Sequence, residues 1–144
     1  MSRLTEWEFL TAVAQEADCG ILLDINNIYV NAFNHRFDPV RYINSVPANR
    51  VVQFRLAGHS DQGTYLLDTH DHPIRSEVWV LYEHAVRRFG RVSTLIEWDD
   101  DIPGFDVLAA TADEAHPRCE GALACQINAG SKGHGSEATS GLDL

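Results

Sequence analysis

Cys19-Gly20-Ile21-Leu22-Leu23-Asp24-Ile25-Asn26-Asn27 is a short apolar run that ends in a carboxylate, with the amide of Asn27 three positions later. Ile21, Leu22 and Leu23 read as a strand apolar on both faces, the mark of a strand covered by helices in a mostly parallel sheet. The same grammar returns three times. Val51-Val52-Gln53-Phe54-Arg55-Leu56-Ala57-Gly58 leads to His59, Tyr65-Leu66-Leu67 leads to Asp68 and His70, and Ser93-Thr94-Leu95-Ile96 leads to Glu97. Each hydrophobic run ends in a residue type that can hold a metal.

Helical patterns lie between these runs. Thr5-Glu6-Trp7-Glu8 fits a capping box, and Phe9, Leu10, Val13, Ala14 and Ala17 recur at helical spacing, predicting a helix over about 6–17. Asp38-Pro39 is an N-cap followed by proline at the first helical position. Val40, Ile43 and Val46 give that helix an apolar face, and Pro47 stops it. Ser76 can cap a third helix that buries Val78, Leu81, Tyr82, Ala85 and Phe89 and closes at Gly90. Phe105, Leu108, Ala109 and Ala112 mark a fourth. Residues 26–37 match neither period and predict a long loop. From Pro117 onward Gly, Ala, Ser and Thr dominate, which predicts disorder because little apolar surface offsets the ordering entropy. The expected organisation is an α/β domain over 1–116 and a low-complexity tail over 117–144.

Strands alternating with helices imply right-handed crossovers and strands that all point one way. Their carboxyl ends then share one rim, where ligands bind in open and barrel α/β folds. Asp24, Asn27, His59, Asp68, His70 and Glu97 all fall on that rim. Imidazole and carboxylate donors without cysteine suit iron, manganese or zinc. The bland alternatives are real: Asp24 fits a turn or cap, and Asp68-Thr69-His70-Asp71-His72 fits a solvated turn before Pro73. Glu97 is harder to dismiss, since a carboxylate closing a buried strand is costly unless paired or metal-bound. Arg55 stands out in a strand built for burial and can balance the acids of the rim. Cys19 lies at the opposite end of its strand.

Composition narrows the function classes. A formal charge of -10 with 11 Lys and Arg argues against nucleic acid and anionic lipid, whose phosphates need clustered cations. Three cysteines, at 19, 119 and 125, have neither metal spacing nor a disulfide framework, so a reducing cytoplasm is expected. No signal peptide or membrane-spanning run is visible.

The wording of several segments goes further than their pattern. Thr-Glu-Trp-Glu-Phe-Leu (5–10), Cys-Gly-Ile-Leu-Leu-Asp-Ile-Asn-Asn-Ile-Tyr-Val (19–30), Leu-Ala-Gly-His (56–59), Leu-Asp-Thr-His (67–70), Val-Trp-Val-Leu-Tyr (78–82) and Leu-Ile-Glu-Trp-Asp (95–99) resemble the multinuclear non-heme iron-dependent oxidative enzymes. That family was formerly a domain of unknown function and includes the iron oxidase of methanobactin biosynthesis. The resemblance implies a (β/α)8 TIM barrel with two or three iron ions at its carboxyl rim, and O2 as co-substrate. It implies modification of cysteines in a ribosomally made precursor peptide, with a partner protein that presents the peptide. Carried over by motif, Asp24, Asn27, Asp68, His70 and Glu97 resemble the iron ligands, with His59 a further candidate.

Two departures accompany the match. The family commonly carries a histidine where this chain has Arg55. A whole barrel takes roughly 250 residues, whereas the resemblance runs over 5–110, so the expectation is the carboxyl-terminal half of a barrel. Such a half leaves unpaired strand edges, and self-association or a separate amino-terminal half is expected to complete it. The rival readings are a zinc or manganese barrel of the isomerase or hydrolase kind, and a non-catalytic fragment or binding scaffold.

Overall fold

The computed structural model describes residues 4–130. The chain runs α1 (Glu6–Glu16), β1 (Ile21–Asp24), α2 (Ile25–His35), α3 (Pro39–Ser45), a 3-10 turn (Ala48–Arg50) and β2 (Val51–Leu56). It continues with β3 (Ser60–Asp61), β4 (Leu66–Leu67), α4 (Ser76–Phe89), β5 (Ser93–Ile96) and α5 (Phe105–Gly130). Strands β1, β2 and β5 form a parallel sheet in that order, with β2 in the centre. This is the α/β arrangement of a partial barrel.

The sheet is two-faced, and the residue alternation shows it. Ile21, Leu23, Phe54 and Leu56 are buried among the helices, whereas Leu22 and Leu95 on the other face remain 45% and 42% exposed. The register places Asp24 beside Arg55 and Arg55 beside Leu95, so the acids and the arginine belong to the open face. α4 contributes Val78, Trp79, Leu81, Tyr82, Ala85 and Val86 to the core, with Phe54 edge-on to Tyr82 at 5.9 Å between ring centroids. α1 begins with the predicted capping box: the Thr5 hydroxyl accepts from the Glu8 amide, and the Thr5 amide donates to the Glu8 carboxylate. Trp7 then packs on Phe37 and Tyr42.

Four expectations need correction. Residues 26–37 form helix α2, not a loop. Asp24 caps it, its carboxylate accepting from the Asn27 amide at 2.9 Å, and Ile25, Ile28 and Ala32 are buried. The asparagines interspersed on that helix hid its period. Not every strand points the same way, because β3 and β4 form a small antiparallel hairpin beside the main sheet. Ser76 is the first helical residue of α4 and Arg75 its N-cap, without a side-chain hydrogen bond.

The fourth concerns the tail. Disorder was expected from 117, but α5 continues to Gly130 with Pro117 inside it. Ala115 and Ala122 are buried, and the Arg118 guanidinium lies 4.8 Å over the Trp79 ring while pairing with Glu83. Small side chains let this helix seat closely on α4, a contact composition does not reveal. The expected tail beyond 130 lies outside the described residues.

Candidate metal centre

Backbone hydrogen bonds lock the rim before any side chain is considered. The Glu97 amide donates to the Leu56 carbonyl at 2.9 Å, the His70 amide to Gly58 at 3.2 Å and the Asp99 amide to His70 at 2.8 Å. The ends of β2 and β5 and the 68–70 segment are thereby tied together. Gly58 makes the approach possible, since a Cβ there would lie 1.8 Å from the His72 carbonyl oxygen. His70 adopts φ 53°, a left-handed backbone that His tolerates better than most residues and that marks functional sites when the surroundings enforce it.

Asp68 and His70 meet through this turn. His70 Nε2 lies 2.8 Å from Asp68 Oδ1, and His70 Nδ1 lies 3.0 Å from Asp99 Oδ2 and 3.0 Å from Glu97 Oε2. Donor atoms of Asp24, Asp68 and His70 fall within 4.8 Å of one another, and so do those of His70, Glu97 and Asp99. The rim therefore gathers Asp24, Asp68, His70 and Glu97 from three separate stretches of chain. Asn27 joins them by donating to Asp68 Oδ2 at 2.9 Å.

His59 stands elsewhere. It is 1% exposed, and its Nδ1 lies 2.9 Å from Asn26 Oδ1. Asn26, fully buried, donates to Asp68 Oδ1 and, at 3.3 Å, to the Gly58 carbonyl. His59 thus reaches the acids through Asn26. Burial holds the His59 imidazole below its ordinary pKa, with Arg75 adding to the effect, so at neutral pH it is the uncharged form that supports the amide.

Two participants escaped the sequence reading. Asn26 falls in the stretch that reads as a loop, and its helical position beside Asn27 follows only from Asp24 acting as a cap. Asp99 was read as a turn residue, and the pairing with His70 depends on a contact between residues 29 apart. Arg55 behaves as its position suggested. Its Nε and Nη2 donate to Asp24 Oδ2 at 2.8 and 2.5 Å, and its Nη1 is 3.0 Å from Glu97 Oε2.

The electrostatics follow from crowded acids. Burial opposes the charge on His70, but Asp68, Asp99 and Glu97 outweigh it and raise the imidazole above its usual pKa. Arg55 is likewise desolvated, yet the pairing with Asp24 and Glu97 raises it, so the guanidinium stays charged. Glu97 Oε2 is the exception to the satisfied network. It is buried and close to two nitrogens, but neither contact has hydrogen-bond geometry, so the oxygen accepts nothing. Arg55 already offsets part of the charge on that oxygen, but no donor occupies its lone pairs, which stay open to a further cation. With His and carboxylate donors around it, the donor set fits a borderline or hard divalent ion.

The chain also has relatives. It is 56% identical over 112 residues to a UPF0276 protein of Acaryochloris marina, covering 78% of this chain and 41% of that one. To a UPF0276 protein of Anaeromyxobacter sp. it is 62% identical over 102 residues, covering 71% and 36%. To one of Caulobacter vibrioides it is 51% identical over 115 residues, covering 80% and 41%. The chain therefore spans about two fifths of the length of these relatives. A family model described as RiPP precursor modification enzyme MbnB/TglH/ChrH matches residues 1–119, and with that match over most of its length the chain belongs to this peptide-modifying family.

Proposed function

We propose that this chain supplies one side of the metal centre of an iron-dependent, O2-using oxidase that modifies cysteines of a ribosomally synthesised precursor peptide. The observation that carries the metal reading is the convergence of His70, Glu97 and Asp99, with a buried Glu97 oxygen that accepts no hydrogen bond, beside a second group of Asp24, Asp68 and the same His70. The family supports a peptide substrate. A protein that presents the peptide and a cytoplasmic setting belong to the same reading; among the described residues no helix is long and apolar enough to cross a membrane.

Iron held here would relay to O2 the electrons that the peptide cysteine loses on oxidation. The chain's own residues do the rest. Asn26 and Asn27 bind the two oxygens of Asp68 and fix the plane of its carboxylate, an outer-shell role that typically sets metal affinity. His70 stands between the two acid groups, Nδ1 toward Glu97 and Asp99 and Nε2 toward Asp68. The left-handed turn at His70 brings both groups into one place.

Metal content tests the proposal. Protein expressed in iron-supplemented medium and purified without air is analysed for iron, manganese and zinc, beside the double variant Asp68→Ala, His70→Ala. The wild type is expected to hold iron and the double variant at least one equivalent less. Zinc alone would favour a hydrolase or isomerase, and unchanged metal in the variant would remove these residues from the ligand set.

A further inference from the structure

Arg55 is the central cation of the rim, and its contacts restrict what the rim can bind. It lies on the middle strand, flanked by Asp24 in register on β1 and by Glu97 just past the end of β5. Its three nitrogens are all committed: Nε and Nη2 converge on Asp24 Oδ2, and Nη1 faces Glu97 Oε2. Asp24 is equally committed, since its other oxygen accepts from the Asn27 amide. A carboxylate that takes a two-pronged guanidinium on one oxygen and a helix cap on the other keeps one lone-pair direction, so although donor atoms of Asp24, Asp68 and His70 also lie within 4.8 Å of one another, an ion there would share Asp24 with the guanidinium. A guanidinium, moreover, does not lose its proton to make room.

The opposite side of the rim differs. His70, Glu97 and Asp99 present donor atoms within 4.8 Å of one another, and the Asp99 side chain is 61% exposed, so an ion can enter from solvent. We infer that the Arg55 guanidinium stands in for a metal ion between Asp24 and Glu97, so this chain binds one divalent cation, at the His70–Glu97–Asp99 side, and not a cluster. The inference rests on the metal reading proposed above and sets the ion count within it. Arg55 is a specificity-determining residue: its fixed positive charge opposes an ion most strongly at Asp24, which it grips with two nitrogens, and less at Glu97, which it faces with one and without a hydrogen bond.

Cobalt(II) is a suitable probe, because its visible bands report ligand number and its binding can be followed by calorimetry. Wild-type chain, Arg55→Gln and Arg55→Lys are titrated, with circular dichroism confirming that each is folded. The wild type is expected to take one cobalt per chain and Arg55→Lys, which keeps the charge, the same. Arg55→Gln is expected to take a second ion, or to bind with affinity raised about tenfold or more, as loss of a charge a few ångströms away implies. Two or more ions in the wild type, or an Arg55→Gln titration that matches it, would overturn the inference. Cobalt bound by Arg55→Gln but not by wild type would support Arg55 as the occupant while removing the metal centre proposed for the native chain. No binding by either would remove both.

Discussion

Asn26 supports the strongest test of how the rim is held. It is fully buried, and its amide joins three groups: His59 Nδ1 at 2.9 Å, Asp68 Oδ1, and the Gly58 carbonyl at 3.3 Å. Asn26→Ala leaves the first two without that partner. The Gly58 carbonyl still receives the His70 amide, so it adds little. A buried polar group stripped of its hydrogen bond costs about 1–3 kcal/mol, and more when charged. The Asp68 oxygen keeps His70 Nε2 at 2.8 Å, so His59 sets the expected loss, about 1–3 kcal/mol, against a total stability of about 5–15 kcal/mol for a domain. Urea unfolding followed by circular dichroism measures it, with an unchanged m-value confirming that the unfolding transition is otherwise the same. Asn26→Asp keeps the shape but sets a carboxylate against Asp68, so it is not expected to rescue. A loss below about 1 kcal/mol for Asn26→Ala would mean that water or a rotated side chain replaces the amide, and that Asn26 does not hold His59.

Two further outcomes follow from the same coordinates. Gly58→Ala forces a methyl into the His72 carbonyl and within 2.8 Å of the Pro73 carbonyl; backbone cannot yield as a side chain does, so a loss of about 3 kcal/mol or more and weaker cobalt binding are expected from unfolding and titration. His84 is held below its ordinary pKa by burial and then by Arg87 and Arg88. Its folded form binds a proton less readily than its unfolded form, so stability falls as pH drops below about 6.5. His84→Gln should flatten that part of the urea-midpoint profile between pH 5 and 8, and a profile parallel to the wild type would refute the assignment.

Much of this protein was legible in the chain. Apolar runs bounded by turn residues announced β1, β2 and β5, although the sheet buries only one face against the helices and Leu22 and Leu95 on the other stay exposed. The Thr5 and Asp38 caps announced α1 and α3, since capping is local chemistry between residues two or three apart. Asp24 and Glu97 were found by position alone: a carboxylate at the end of a parallel strand has only the rim to occupy.

The rest depended on distance in space. Asn26 and Asp99 gain their roles from partners 42 and 29 residues away, and no window of sequence contains such a pair. α2 was lost because Asn26, Asn27, Asn31 and Asn34 resemble a loop until the acids they serve are in place. α5 was lost because its small residues matter only against the surface of α4. Sequence alone placed Asp24 and Glu97 at one end of the sheet, because their strands run in parallel, and Asp68 and His70 beside them, but it did not place Asp99. Only the tertiary structure shows how these acids are shared, because the guanidinium on the central strand reaches both of its neighbours and grips Asp24 with two nitrogens.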